Sequence, residues 1–505
     1  MQFNSFFFIL FFLPLSLFGY FGLNSLGKKK LAQAFLLIMS LWFYGYFNAS
    51  YLFIICGSIV VNFFLSRFME KMDAAEGKKR AILSAGIVFN VALIFYFKYY
   101  DFFISNVNAA FSTDFVLKHI TLPLGISFFT FQQISFMVDS YKGETKGYSF
   151  IEYALFVAYF PQLVAGPIVL HSELIPQFRD DRKKTLDFDN LSKGVMLFSR
   201  GLAKKVLIAD TFGTAVAWGF EHADVLPGGY PLSAYEIIII MLSYTFQIYF
   251  DFSGYSDMAT GLGCMFNFSI PMNFNSPYKA LSVADFWKRW HMTLTRFLTQ
   301  YIYIPLGGNR KGRLRTYINI MIVFLVSGIW HGANWTFILW GIIHGLGQCF
   351  NRMTSGINKK IMAAAGRLGV VFTVIIKVVQ WLVTFAFVNV AWLLFRADSV
   401  GQWLRLLKRL FVHYYEIRPE LLDCIRIPKI RYLFELLRVS YTEDTSLYFS
   451  LFTVMGLALC LCLCFKNNYE RKYNKTALSL IVTLGMLLIS VFSLSRISTF
   501  LYFNF

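Results

Sequence analysis

Charge is scarce in this chain, and what there is leans to one sign. Charged residues make up 15% of the sequence, against about 25% in soluble globular domains, which excludes an ordinary soluble fold. Acidic residues number 28 against 47 basic ones, a net charge of +19. Such an excess can serve nucleic acid. Here, however, the basic clusters Lys28–Lys30, Arg67–Arg80, Arg310–Arg313 and Lys466–Lys475 lie in short loops between apolar runs. That is the bias of cytoplasmic loops in membrane proteins, where the cations face anionic lipid. No nucleic-acid partner is expected.

Cysteine is also sparse, with seven residues and no disulfide framework or zinc spacing. Cys460, Cys462 and Cys464 alternate in an apolar run. Steps of two turn a helix by roughly 200°, so the three cannot converge on one metal. There is no His-Glu-x-x-His zinc motif, no Gly-x-Ser-x-Gly elbow and no phosphate loop. Linkers, low-complexity tracts and repeats of fixed period are missing too. The simplest organisation is one integral membrane domain over 1–505. N-terminal spans fill 1–118, a core fills 119–350, and C-terminal spans with a polar section at 398–446 fill 351–505.

Long apolar runs are abundant. Hydrophobic residues reach 57% and aromatic ones 19%. The runs are long enough to cross a hydrocarbon core of about 30 Å as helices. The alternating strands of about ten residues that a barrel needs are not seen, so the fold class is an all-α polytopic membrane protein. Spans are expected at 4–23, 31–47, 50–66, 81–97, 235–250, 317–340, 369–394, 447–465 and 476–495. The first lacks a basic leader and a clear cleavage site and reads as a retained span. With Lys28–Lys30 and the 67–80 loop inside, the N-terminus is outside; with Lys466–Lys475 inside, 398–446, one crossing away, is outside. Leu122-Pro123-Leu124-Gly125 and the stretch Tyr159 to Pro167 break apolar segments, as re-entrant helices do where protein or water satisfies the backbone. The polar 171–193 stretch follows on the cytoplasmic side. Lys204 and Lys205 interrupt an apolar run and suit an interfacial helix with snorkelling side chains.

The chemistry concentrates in three places. His331 lies in Ser327-Gly328-Ile329-Trp330-His331-Gly332-Ala333-Asn334-Trp335, between two apolar runs. An imidazole at membrane depth is costly unless partnered, which makes it a functional candidate, and its protonation range suits a general base. The second place is Asp285 to Phe297. At helical spacing Trp287, Trp290, His291 and Leu294 share a face, and Asp285 can pair with Arg289. Two readings stay open: an interfacial helix with an aromatic belt and snorkelling cations, or a grip by Lys288, Arg289 and Arg296 on an anionic phosphopantetheine or nucleotide. Between His291 and His331, Pro305 to Gly312 is a basic turn, so a helix in and a helix back could bring both histidines to one depth. The third place is Gln247 to Asp257, where Asp251 and Asp257 read as caps or structural hydrogen-bonding groups rather than catalysts. His344 would sit about 220° around from His331 on an unbroken helix, so a metal pair is not expected. His119, His171, His222 and His413 read as surface residues.

Taken together, the segments Leu122–Gln132, Tyr159–Pro167, Asp251–Asp257, Phe286–Phe297, Tyr303–Gly308 and Ser327–Gly332 resemble the membrane-bound O-acyltransferases. The likeness is to the bacterial branch that includes the alginate O-acetylation membrane protein and the D-alanine transfer protein of teichoic acids. They occur in order across 120–350. The resemblance implies a bundle of ten or more transmembrane helices, plus re-entrant ones, around a tunnel in the bacterial cell membrane. His331 would be the catalytic histidine and His291 a second histidine at the site. An acyl thioester, acetyl-CoA or an acyl carrier protein, would enter from the cytoplasm, with Lys288, Arg289, Trp290 and Asn273 on the donor side. His291 or Asn273 could donate to the oxyanion. A hydroxyl acceptor would arrive from the other side. The group moved would be acetyl, onto an exopolysaccharide, often through a separate extracytoplasmic relay protein docking on 398–446. No permanent cofactor and no metal is implied. D-Alanyl transfer to teichoic acid and a solute or polysaccharide carrier are the alternatives; a carrier usually shows matching half-repeats, and none is found.

Overall fold

The computed structural model describes residues 1–505 apart from 72–75, 225–230, 413–415, 428–429, 437, 439, 472, 495–499 and 502–505. Among the described residues all regular structure is helical. Seven helices among the described residues are long and apolar enough to cross a membrane: Phe8–Ser25, Ser50–Lys71, Glu76–Phe111, Ala234–Met265, Arg313–His331, Val370–Arg396 and Glu443–Leu463. Ala477–Phe492 is apolar but only 16 residues long. The chain divides into two compact units, 1–203 with 255–272 and 473–505, and 204–254 with 273–472.

In the first unit, helices Ser50–Lys71, Glu76–Ile94 and Ile126–Tyr141 are joined by buried amides. Asn90 Nδ2 donates to Asn62 Oδ1 at 2.6 Å, and Asn62 Nδ2 to Gln133 Oε1 at 2.5 Å. Polar side chains of this kind tie helices together where lipid offers no hydrogen bonds. The interruptions foreseen from proline and glycine are present. Gly125 takes φ +72° ahead of Ile126–Tyr141, where a Cβ would meet the backbone of Leu163 and Val164. Tyr159 to Leu170 is buried around a single turn, Phe160–Leu163. Protein satisfies that backbone: Ser40 Oγ accepts from Phe160 N at 3.3 Å, and Gln162 Nε2 donates to Phe156 O at 2.7 Å.

His171 is not a surface residue. It is buried, with Nε2 3.1 Å from an oxygen of the buried Asp139 and Nδ1 3.4 Å from Tyr148 OH. Those two partners make its burial affordable. The exposed Glu144 joins Asp139 and His171 in the one group among the described residues whose ligand atoms lie close enough together to hold a metal ion. His119 is exposed and His222 half-buried; His413 lies outside the described residues.

The second unit is built on the hairpin of Arg313–His331 and Trp335–Leu368. The single 317–340 span expected from the sequence is broken. Gly332 is extended, and Asn334 starts the next helix by accepting from Thr336 N at 3.0 Å, the usual task of an N-cap asparagine. The two helices cross where Gly328 faces Gly341. A Cβ on Gly328 would strike the carbonyl of Phe337, and one on Gly341 the carbonyl of Phe324. Gly341→Val is therefore expected to force the hairpin apart, at about 1–3 kcal/mol for overpacking, and to lower activity at least tenfold. Gly356→Ala, in open space on the same helix, should change neither. Equal melting temperatures and turnover for the two variants would refute this account of the crossing.

One further correction falls in this unit. Lys205 does not snorkel. It is buried in a π-helical turn, Lys204–Ala209, 2.8 Å from both Asp210 and Asp251, whose carboxylates replace water as the countercharge. Asp251 and Asp257 cap no helix end, since both lie inside the 32-residue helix Ala234–Met265; Asp251 takes the other expected part, a structural partner, in its ion pair with Lys205. The polar 398–446 section is anchored to the unit: Arg418 grips the buried Glu236 through Nε at 2.8 Å and a terminal nitrogen at 3.0 Å, and Arg405 pairs with Asp224.

Candidate active site

His291 is placed by a break in the helix that its sequence spacing suggested. Val283–Arg289 ends, Trp290 is extended, His291 takes a left-handed φ of +43°, and Met292–Leu298 follows. Such a backbone costs about 1–3 kcal/mol in a residue other than glycine and persists only where its surroundings fix it. Asn273 does so. Its carbonyl oxygen on the backbone accepts from Met292 N at 3.0 Å, and Asn275 N donates to Arg289 O at 2.9 Å. Its side-chain Oδ1 accepts from Thr293 N at 3.2 Å and Thr293 Oγ1 at 2.9 Å, and sits 3.1 Å from His291 Nδ1. An amide oxygen only accepts, so Nδ1 carries the proton and Nε2 is the basic nitrogen of the ring. His291 is fully buried, with the Phe252 ring edge-on at 4.8 Å. Burial pushes its pKa well down, so the imidazole is neutral at pH 7.

His331 is the last residue of its helix, 3% exposed. Trp330, Trp340 and Phe395 surround its ring at centroid distances of 4.9, 5.1 and 5.2 Å. Trp330 also lies 6.1 Å from His291. The turn at 305–312 thus brings both histidines to one indole. Asn319 holds that turn through Gly308 O at 2.9 Å.

The other residues singled out from the sequence separate. Trp290 is in the aromatic core, 4.9 Å from Trp392 and 5.0 Å from Phe274. Arg289 pairs with Asp285 at 2.9 Å, as the spacing suggests. Lys288 is exposed and lines a cavity of about 260 Å³ with Trp287, Thr295, Phe324, Ser327 and Gln348. Ser327 is one turn before His331. Burial of Trp287, Trp290 and His291 rules out the interfacial-belt reading.

Sequence reasoning missed His344. It measured His344 against His331 along an unbroken helix, whereas the break at 332–334 puts His344 on the next helix, Trp335–Leu368, one turn after Trp340 and 4.6 Å from its ring. The signal was available: Gly332 followed by Asn334 is a stop and a restart. His344 Nδ1 accepts from Trp287 Nε1 at 3.1 Å. It belongs to no metal-ligating group among the described residues.

A polytopic helical membrane protein with two buried histidines on one aromatic ring is equipped for base chemistry within the membrane. Comparison with known proteins specifies the chemistry. Residues 37–394 match the model of the membrane-bound O-acyltransferase family. The chain is 39% identical to a peptidoglycan O-acetyltransferase of Helicobacter pylori, over all of this chain and 97% of that protein. It is 37% identical to the probable alginate O-acetylase AlgI of Pseudomonas aeruginosa, over 81% of this chain and 75% of the relative. A teichoic acid D-alanyltransferase of Streptococcus thermophilus is 28% identical over 47% of the chain. The chain belongs to the membrane-bound O-acyltransferase family: it is an integral membrane acyltransferase.

Proposed function

We propose that this enzyme moves an acetyl group from a cytoplasmic thioester to a hydroxyl of an extracytoplasmic polysaccharide, with His331 as general base. The observation that carries the reading is the convergence of His331 and His291 on Trp330. The names of the two relatives matched over most of their length support acetyl as the group and a glycan as the acceptor.

The steps follow from the residues. An alcohol is a weak nucleophile near neutral pH. His331 takes its proton as the oxygen attacks the thioester carbonyl, a C–O bond forms and an oxyanion results. Collapse breaks the C–S bond, and the imidazolium returns the proton to the thiolate. His291, kept neutral and held by Asn273, presents Nε2 toward the acceptor side of the reaction. This assigns Asn273 to orientation, in place of oxyanion donation. Trp290 and Arg289 support the same loop. Lys288, at the rim of the 260 Å³ cavity, meets the donor phosphates, and the apolar walls take the pantetheine arm. The donor is acetyl-CoA or an acetylated carrier protein. The anchored 398–446 section receives an extracytoplasmic relay protein, and charge reversal there should abolish relay co-purification.

The test is reconstitution in vesicles with donors labelled in the acyl group. Acetyl ester on polysaccharide or relay protein, with a donor KM raised about tenfold by Lys288→Gln, is the expected result. Labelled D-alanyl ester in place of acetyl would favour the teichoic acid reading. Solute movement without any ester would favour a carrier.

A further inference from the structure

We propose that Trp340 is a catalytic residue: its indole Nε1–H donates the hydrogen bond that takes up the oxyanion. The inference rests on the acyl-transfer reading above and adds the group that reading leaves unassigned.

Trp340 is fully buried, and its ring is 5.1 Å from that of His331. Its Nε1 has no hydrogen-bond acceptor among the described residues. A buried N–H left unmade is costly and rare, and calls for an explanation. The neighbouring rings are Phe395 at 5.2 Å, Trp287 at 5.7 Å and Trp392 at 6.0 Å. None offers a lone pair for a strong hydrogen bond. The nearest ring with nitrogen lone pairs besides His331 is His344, at 4.6 Å, and it is not available. Its Nδ1 lone pair is engaged by Trp287 Nε1–H. In the neutral imidazole Nε2 then carries the proton. That second N–H is also buried without an acceptor.

Trp340 Nε1–H and His344 Nε2–H therefore sit side by side in a cluster short of acceptors; Trp392, stacked on Trp340, carries a third such N–H, and of the three rings Trp340 is the one in contact with the candidate base. This is what a developing oxyanion requires: donors fixed in advance, in a site closed to water, with nothing to release when charge appears. As the acceptor oxygen bonds to the carbonyl carbon, the carbonyl π electrons move onto oxygen. Trp340 Nε1–H hydrogen-bonds that oxygen without giving up its proton. The hydroxyl proton goes to His331, and the C–S bond breaks as the carbonyl reforms. Trp287, by holding His344 in the Nε2–H tautomer, keeps the competing acceptor away from Trp340 and acts as a positioning residue.

The experiment compares Trp340→Phe with a protein carrying benzothienylalanine at 340, which keeps the bicyclic shape and replaces N–H by sulfur. Both are assayed for donor turnover in reconstituted vesicles, with His331→Ala alongside. A fall in kcat of about 10²- to 10³-fold, the usual loss of one oxyanion donor, with donor KM within twofold of wild type and an unchanged melting temperature in the benzothienyl protein, is expected. A benzothienyl protein with kcat within threefold of wild type overturns the proposal, and so does a loss carried by KM. If His331→Ala turns over normally, His331 is not the base and the reading on which this proposal rests fails. If His331→Ala is inactive and the benzothienyl protein active, only the role of Trp340 falls.

Discussion

Replacing His331 with alanine is expected to lower acyl transfer by about 10²- to 10⁴-fold, the contribution of a positioned general base. The amount of protein in the membrane should stay at the wild-type level. The substitution leaves a cavity at a helix end walled by Trp330, Trp340 and Phe395, so some stability is lost. The decisive measurement is the O-acetyl ester content of cell-surface polysaccharide at equal membrane levels. Loss of ester in the variant alone establishes transfer through His331. Unchanged ester would mean that the buried imidazole is a packing group. His291→Ala gives the second arm. Its ring is tied to Asn273, and its removal frees a left-handed loop, so activity and melting temperature should fall together. A normal His291→Ala enzyme would remove that residue from the mechanism.

The sequence made His331 legible because an isolated histidine between apolar runs has few other uses. It made the pairing with His291 legible because a basic turn separates them. What it hid has a common physical origin. Three inferences assumed continuous helices, and each failed where the chain breaks for a packing reason. Trp290 and His291 leave helical geometry because Asn273 pairs with the backbone beside them. Arg313–His331 stops at Gly332 because Gly328 and Gly341 let the two helices fold onto each other. His344 therefore lies on a different helix from His331, and the angular spacing reckoned between them along one helix does not apply. Charge was misread in the same way. Lys205 and His171 look solvated in sequence because their partners, Asp251 for one and Asp139 for the other, are 46 and 32 residues away. Periodicity encodes the faces of helices well, but it carries no record of contacts made by residues outside the helix.

Lys205 leads to the largest expected loss of stability. Its ammonium is 3% exposed and lies 2.8 Å from Asp210 and from Asp251, whose side chain is 2% exposed. Lys205→Met leaves two carboxylates facing each other. Asp210 is about one quarter exposed and can draw on water; Asp251 cannot. Breaking one partner out of a buried pair costs about 3–5 kcal/mol, whereas replacing the pair by apolar groups of similar size is often neutral. Lys205→Met should therefore unfold in detergent at a markedly lower temperature, and Lys205→Met with Asp251→Leu should recover most of the loss. Activity should follow stability, because Asp251 precedes Phe252, whose ring braces His291 at 4.8 Å. A tilt of that helix segment is felt directly at the imidazole. The double variant separates two roles for the triad. Full stability with normal turnover would make the ions a structural clamp that apolar packing can replace. Full stability with turnover still depressed would mean that the charges set the position of Phe252 and His291 more tightly than packing does. A single variant as stable as wild type would show that the ammonium is not the countercharge that keeps Asp251 buried.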